Sequence, residues 1–302
     1  MTLTRTIKIL IWVVVAANIL FWLPSTRLSC LYALGRASRC PFQKAVKSYD
    51  TIAGRQKIER RLFQERRLVA KDSSYHQWET SMGRYWVPAR NDDTLVLNLA
   101  EQATKVYGEG RDGVQPGDVV LDCGANVGVF THEALADGAR LVVAIEPAPE
   151  NVECLRRNFA DEIVKGRVIV LPKGVWDHDD SLALRVDAGN SARNSFVGSF
   201  GPAMQEVKVP LTTIDELLAD QKIDRADFIK LDVEGAEKRA LAGARNTLAK
   251  FHPRLAIAME HLDDDPVRIP EVVLAQWSGY RIICGDCIDE LTQVRPDVLY
   301  FQ

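Results

Sequence analysis

Asp232, Glu234 and His261 are the side chains of this chain best suited to move a proton. Asp232-Val-Glu234 closes the apolar run Phe228-Ile-Lys-Leu, and Glu260-His261 closes a second run, Leu255-Ala-Ile-Ala-Met. A neutral imidazole is the natural base for a hydroxyl, because its unperturbed pKa of about 6.5 leaves it largely uncharged at pH 7. Asp232 is the alternative base, and His261 in His261-Leu-Asp-Asp-Asp is otherwise an ordinary loop histidine. The Asp232-x-Glu234 spacing can also hold a divalent cation, but no third ligand is evident in the sequence, so no metal is expected. Lys230 lies inside an apolar strand, where an ammonium needs a carboxylate. Glu260 or Asp232 is its expected partner, and a substrate contact is the other reading.

A second group of residues describes a pocket for an adenosine-containing cofactor. Asp118-Val-Val-Leu-Asp122-Cys-Gly124-Ala-Asn126-Val-Gly128 is followed by Ala144-Ile-Glu146-Pro147. An apolar strand enters a glycine turn, a helix follows, and the next strand ends in a carboxylate placed to accept from ribose hydroxyls. Gly124 is expected to allow the tight turn and Gly128 to admit the cofactor closely. The dinucleotide pattern G-x-G-x-x-G is not matched, so a pyrophosphate is not the expected ligand. Asp122 before the turn would repel a phosphate and suits a cationic amino-acid moiety, which S-adenosylmethionine carries. Asp122, Gly124, Asn126, Gly128, Glu146, Gly174 and Val175 form the expected cofactor set.

These residues need a scaffold that brings strand ends together. Apolar runs predict strands near 118–122, 141–145, 167–171, 226–231, 254–259, 279–283 and 297–301, alternating with helices near 128–136, 149–159, 213–220, 236–248 and 268–276. That alternation implies an α/β fold with a mostly parallel, doubly wound sheet, and ligands then bind at the carboxyl ends of the strands. Between 171 and 215 two extra strands flank the Gly/Ser/Asn-rich stretch Asp187–Ser195. It is either a surface excursion or a lid whose Arg193 or Asn194 reaches substrate.

Asp227-Phe-Ile-Lys230-Leu-Asp232-Val-Glu234-Gly235-Ala-Glu237, with the Asp-x-Gly-Ala-Asn-x-Gly turn, closely resembles the FkbM-type family of S-adenosylmethionine-dependent methyltransferases. Val209-Pro-Leu-Thr-Thr-Ile-Asp215 and Gly83-Arg-Tyr-Trp-Val-Pro88 fit as well, so the resemblance covers roughly residues 75–300. It implies a Rossmann-like class I methyltransferase sheet, S-adenosylmethionine as donor, and methyl transfer to a hydroxyl. A cofactor-binding scaffold that does not catalyse is the alternative. The acceptor is expected to be a membrane-associated sugar, glycan or lipid-like molecule, because an anchor would serve little purpose with a diffusing substrate.

Charge divides the chain. Residues 27–71 hold twelve Lys/Arg against three acids, +9, whereas 72–302 holds 24 against 38, −14. An acidic catalytic domain argues against nucleic acid as a substrate. Ile9–Leu23 is apolar except for Asn18. As helix it spans about 22 Å, or about 27 Å from Thr6 with Lys8 snorkelling, just enough for one spanning anchor. A cleaved signal peptide and an interfacial helix compete with that reading. The expected organisation is a membrane or signal-anchor helix over 1–26, a basic helical linker over 27–71 and a methyltransferase domain over 72–302, with the catalytic domain cytoplasmic. The linker is either solvated or a grip for anionic lipid. The six cysteines suggest no framework, and Cys284-Gly-Asp-Cys287 is half a zinc site with no histidine pair to complete it.

Overall fold

The computed structural model describes residues 21–187, 194–197 and 204–302, together with Ile7, Lys8, Trp12 and Val15. Most of the expected membrane segment, and Arg193 of the expected lid, lie outside the described residues. Among the described residues no helix is long and apolar enough to cross a membrane.

The centre is a seven-stranded sheet in the order β12-β15-β11-β10-β4-β5-β6. Its strands are β4 (Val119–Cys123), β5 (Leu141–Ile145), β6 (Val168–Leu171), β10 (Phe228–Leu231), β11 (Arg254–Ala258), β12 (Ile282–Cys284) and β15 (Val298–Phe301). β6 to β11 run parallel, and β15 is antiparallel to both β11 and β12. β4 and β10 are buried along their whole length, which is why both read as continuous apolar runs. Chain order reverses between β4 and β10, so the crevice for a ligand opens at their carboxyl ends.

Helices cover both faces. One core joins Leu121, Val143, Ile229 and Leu255 to Ile214, Leu248 and Ile269. The other joins Val120, Val142 and Phe228 to Phe130 and Ala134. The helix expected over 236–248 is broken into α8 (Glu237–Ala242) and α9 (Arg245–Phe251). Gly243 lies at the break, and only glycine fits there because a Cβ would stand 2.1 Å from the Trp176 carbonyl oxygen. The extra strands are present as β8 (Asp180–Asp187) and β9 (Met204–Thr212), and the short β7 (Gly174–Val175) pairs with β9.

The basic segment is folded onto the domain. It forms α1 (Pro24–Ala33) and α2 (Phe42–Glu65), then β1 (Arg67–Lys71), which pairs with β2 (Tyr75–Thr80) of the expected hairpin; its second arm is β3 (Gly83–Pro88). Leu28, Leu31 and Ala45 pack against Cys287 and Val294, and Leu62 is buried among Tyr85, Leu95 and Leu99. Several of its cations are paired: Arg27 with Asp289 at 2.7 Å, Arg66 with Asp93 at 2.8 Å and Arg55 with Asp297 at 3.2 Å. Cys40 forms a disulfide with Cys287, and the Cys284 sulfur lies 3.8 Å from that of each. The cysteines therefore do frame the molecule, across a sequence separation of 247 residues.

Candidate functional site

A cavity of about 280 Å³ opens at the carboxyl ends of β4, β5, β10 and β11. Gly124, Asn126, Glu146, Gly174 and Val175 line one end of the expected site, and Lys230, Asp232, Glu234 and Glu260 line the other. α3 (Asp92–Ala103) and the loop after it add Glu101 and Tyr107, while Asn194 and Phe196 reach the wall from the excursion.

Glu146 sits where the sequence places it. Its carboxylate accepts the N–H groups of Asn126 and Ala148, both at 2.9 Å, and the Asn151 amide at 3.3 Å. Burial pushes its pKa up to about 7 against the opposing pull of those donors. Asn126 takes φ +51°, a conformation that Asn tolerates. Gly124, at φ +80°, is required by the backbone: a Cβ would lie 1.9 Å from the Asp232 carbonyl oxygen. The turn thus locks the ends of β4 and β10 together, and a side chain would strike that backbone rather than only the path of a ligand.

Two expected cofactor residues do not line the cavity. Gly128 starts α4 (Val129–Ala136) at φ +92°, and a Cβ there would meet the Phe159 ring at 2.2 Å. It is a helix-packing glycine and does not border the cavity. Asp122 is wholly buried, accepts from the Thr131 hydroxyl at 2.6 Å and stands 3.3 Å from the Lys230 ammonium. Its side chain turns to Thr131 and Lys230 and does not line the cavity.

Lys230 is nearly fully buried. It donates to the Gly124 carbonyl at 2.7 Å and pairs with Asp122 at 3.3 Å and Asp232 at 3.7 Å. Burial alone would favour the neutral amine, but the two carboxylates outweigh it and raise the pKa. Asp232 was an expected partner; Asp122 replaces Glu260 as the other.

Asp232 also accepts the Tyr107 hydroxyl at 2.6 Å. Burial works against its ionisation, but Lys230 and His261 outweigh burial and hold its pKa low. Glu234 adopts φ +53°, a strained conformation for a residue with a side chain. The His261 Nε2 lies 3.5 Å from Asp232 and 3.6 Å from Glu234, and its Nδ1 lies 3.0 Å from the fully buried Glu237. The surroundings of His261 differ from those expected of a neutral base. Burial disfavours the imidazolium, but Glu237, Glu234 and Asp232 together raise its pKa well above 6.5. His261 stands behind the carboxylates rather than on the cavity wall.

Glu260 is the residue whose role the sequence obscured. It remains open to solvent and lines the cavity. Desolvation of the carboxylate by the protein packed around it, then Asp297 and Asp232, push its pKa up to about 7, although part of the residue reaches solvent through the cavity. Glu101 is pushed up to about 8 by burial first, then by Asp297. Neither Glu101 nor Tyr107 carries a local motif; only the packing of α3 onto the sheet brings them here. Two described groups bring ligand-type atoms within 4.8 Å of one another: Asp232, Glu234 and His261, and Cys40, Cys284 and Cys287, of which the disulfide takes two sulfurs.

The cavity suits S-adenosylmethionine. Glu146 offers acceptors at one end, Val129, Phe130, Val175 and Phe196 offer apolar walls, and the Asp232–Glu260 end offers negative charge for a sulfonium. Comparison with known proteins agrees. Residues 122–281 match the family model for the methyltransferase FkbM domain. The chain is 27% identical over 205 residues to 31-O-demethyl-FK506 methyltransferase FkbM of Streptomyces tacrolimicus, covering 57% of this chain and 77% of that protein. It is 26% identical over 159 residues to the hexuronic acid methyltransferase AglP of Haloferax volcanii, covering 52% and 61%. Among solved structures it resembles methyltransferase FkbM from Methylobacillus flagellatus KT, with a TM-score of 0.46 and 19% identity over 85% of this chain and 60% of that one. The chain therefore spans less than two thirds of the second relative and of that structure.

Proposed function

The chain belongs to the FkbM methyltransferase family, and from that premise we propose that it methylates a hydroxyl of a sugar-like or glycan acceptor held at a membrane. When bound, S-adenosylmethionine supplies a methyl group already activated by the sulfonium charge, so alignment and exclusion of water fall to the protein. The observation that carries the reading is the single cavity with Glu146 at one end and the carboxylates of Asp232, Glu234 and Glu260 at the other.

In that cavity Glu146, ionised, accepts from ribose hydroxyls. Asp232 supplies fixed negative charge, held in place by Tyr107, Lys230 and His261. Glu260 takes the proton of the acceptor hydroxyl, because it faces the cavity and its pKa, pushed up to about 7, suits a base at neutral pH. Asp232 and Glu234 remain contacts to the reacting groups, and His261 positions them. The 26% identical relative named for hexuronic acid supports a sugar-like acceptor. The apolar run 9–23 and the exposed Lys47, Lys57, Arg60 and Arg61 support a membrane-held one.

Incubation with methyl-labelled S-adenosylmethionine and a membrane extract tests the proposal. Expected is label in an alkali-stable ether, reduced about 10²–10⁴-fold by Glu260→Gln. Label that mild alkali releases would mean an ester and a carboxylate acceptor. Label transferred at full rate by Glu260→Gln would remove Glu260 as the base.

A further inference from the structure

We propose that Asp232, Glu234 and His261 bind a divalent metal ion that receives the acceptor hydroxyl. The metal site rests on geometry alone; its part in catalysis rests on the function proposed above.

The three side chains come from the ends of two neighbouring strands, and a ligand atom of each lies within 4.8 Å of the others. His261 Nε2 stands 3.5 Å from Asp232 Oδ1 and 3.6 Å from Glu234 Oε2. Those separations are long for hydrogen bonds. They match the edge of a tetrahedron around a metal with bonds of about 2.1 Å, an edge of roughly 3.4 Å. The orientation of each group fits as well. Asp232 commits Oδ2 to the Tyr107 hydroxyl at 2.6 Å, which leaves Oδ1 for the shared point. The other imidazole nitrogen, Nδ1, lies 3.0 Å from Glu237 Oε1, and Glu237 is itself fully buried and tied to the Val233 N–H at 2.9 Å. The Glu237 carboxylate stands beside the distal nitrogen, where a modest rotation of the ring would make the hydrogen bond that orients a metal-ligating histidine. Two carboxylate oxygens and one imidazole nitrogen suit manganese, zinc or magnesium.

The charge balance points the same way. Asp232, Glu234, Glu237 and Glu260 crowd this end, and Lys230 pairs with Asp122 and Asp232. A dication here would take the place of the proton that these carboxylates hold on His261. Asp232 and Glu234 border the cavity, so the ion would be reachable from it. Bound to the ion, the acceptor oxygen loses its proton to Glu260. The oxygen–carbon bond then forms as the carbon–sulfur bond breaks, and that electron pair stays on sulfur as a neutral thioether.

Manganese(II) titrated into the full chain, with S-adenosylmethionine present and no acceptor, reads the site directly. Expected is one ion per chain, with pulsed electron paramagnetic resonance showing coupling to a histidine nitrogen. His261→Ala and Glu234→Gln should each weaken binding at least about tenfold, and Glu237→Gln by about 10–100-fold. Glu146→Ala should weaken the cofactor and leave manganese binding unchanged. No saturable manganese or zinc binding, or binding without nitrogen coupling in the unaltered chain, would overturn the site, whether or not the variants fold. Methyl transfer that persists undiminished in a strong chelator would remove the ion from catalysis and leave the proposed function standing. Manganese held by these ligands in a chain that transfers no methyl group would do the reverse.

Discussion

Glu146 offers the sharpest prediction, because one carboxylate carries both a structural and a binding load. In the free protein it accepts three hydrogen bonds, two from the backbone of Asn126 and Ala148. Charge-assisted hydrogen bonds contribute roughly 1.5–3 kcal/mol each, so losing one ribose contact weakens S-adenosylmethionine by one to two orders of magnitude. Glu146→Ala should do this and also lower stability, since two backbone N–H groups lose their acceptor. Glu146→Gln, which keeps one acceptor oxygen, should spare more of the stability than of the affinity. The pH dependence follows from the raised pKa of about 7. Only the ionised carboxylate accepts at both oxygens, so affinity should rise about fivefold from pH 6 to 7, about twofold more by pH 8, and level off above. Stability has the opposite sign. The folded pKa exceeds the unfolded value, so the folded protein binds the proton more tightly. That stability is complete below the ordinary carboxylate range and is lost as pH rises through about 7. Titration calorimetry and thermal melts at pH 6, 7 and 8 measure both. Equal affinity at all three values, or Glu146→Gln binding as tightly as the unaltered chain, would move the ribose away from Glu146.

Gly128→Ala should lower thermal stability through its contact with Phe159 while the folded fraction keeps its cofactor affinity; a selective loss of affinity would return Gly128 to the binding site. Cys40→Ser should cost about 2–4 kcal/mol in oxidising buffer and little in a strong reductant, read by chemical unfolding. Removal of residues 1–26 should release the protein only partly from anionic liposomes at low salt, with release completed above physiological salt, because Lys47, Lys57, Arg60 and Arg61 remain exposed. Binding indifferent to salt and lipid charge would leave these cations as ordinary surface.

The sheet was legible because its strands are buried on both faces and therefore read as apolar runs between turns. The strand-end residues Glu146, Asp232 and Glu234 were legible for the same reason: the end of a buried strand in this topology is where a ligand lies. Side-chain direction and neighbourhood were not. Asp122 and Gly128 belong to the glycine motif, yet one faces Lys230 and the other faces Phe159. Both partners come from other segments, at distances the motif does not encode. The surroundings of His261 were hidden for a related reason. Its pKa depends on Glu237, which begins a helix following a different strand. Tyr107, Glu101 and Arg55 reach the acidic end only because α2 and α3 pack there, and the Cys40–Cys287 pairing spans most of the chain.

A crystal structure with S-adenosylhomocysteine bound tests the central claim most directly. The ribose hydroxyls are expected within hydrogen-bond distance of Glu146, and the sulfur on the side of Asp232 and Glu260, inside the cavity between β4 and β10. A ribose away from Glu146, or a sulfur aimed away from those carboxylates, would contradict it.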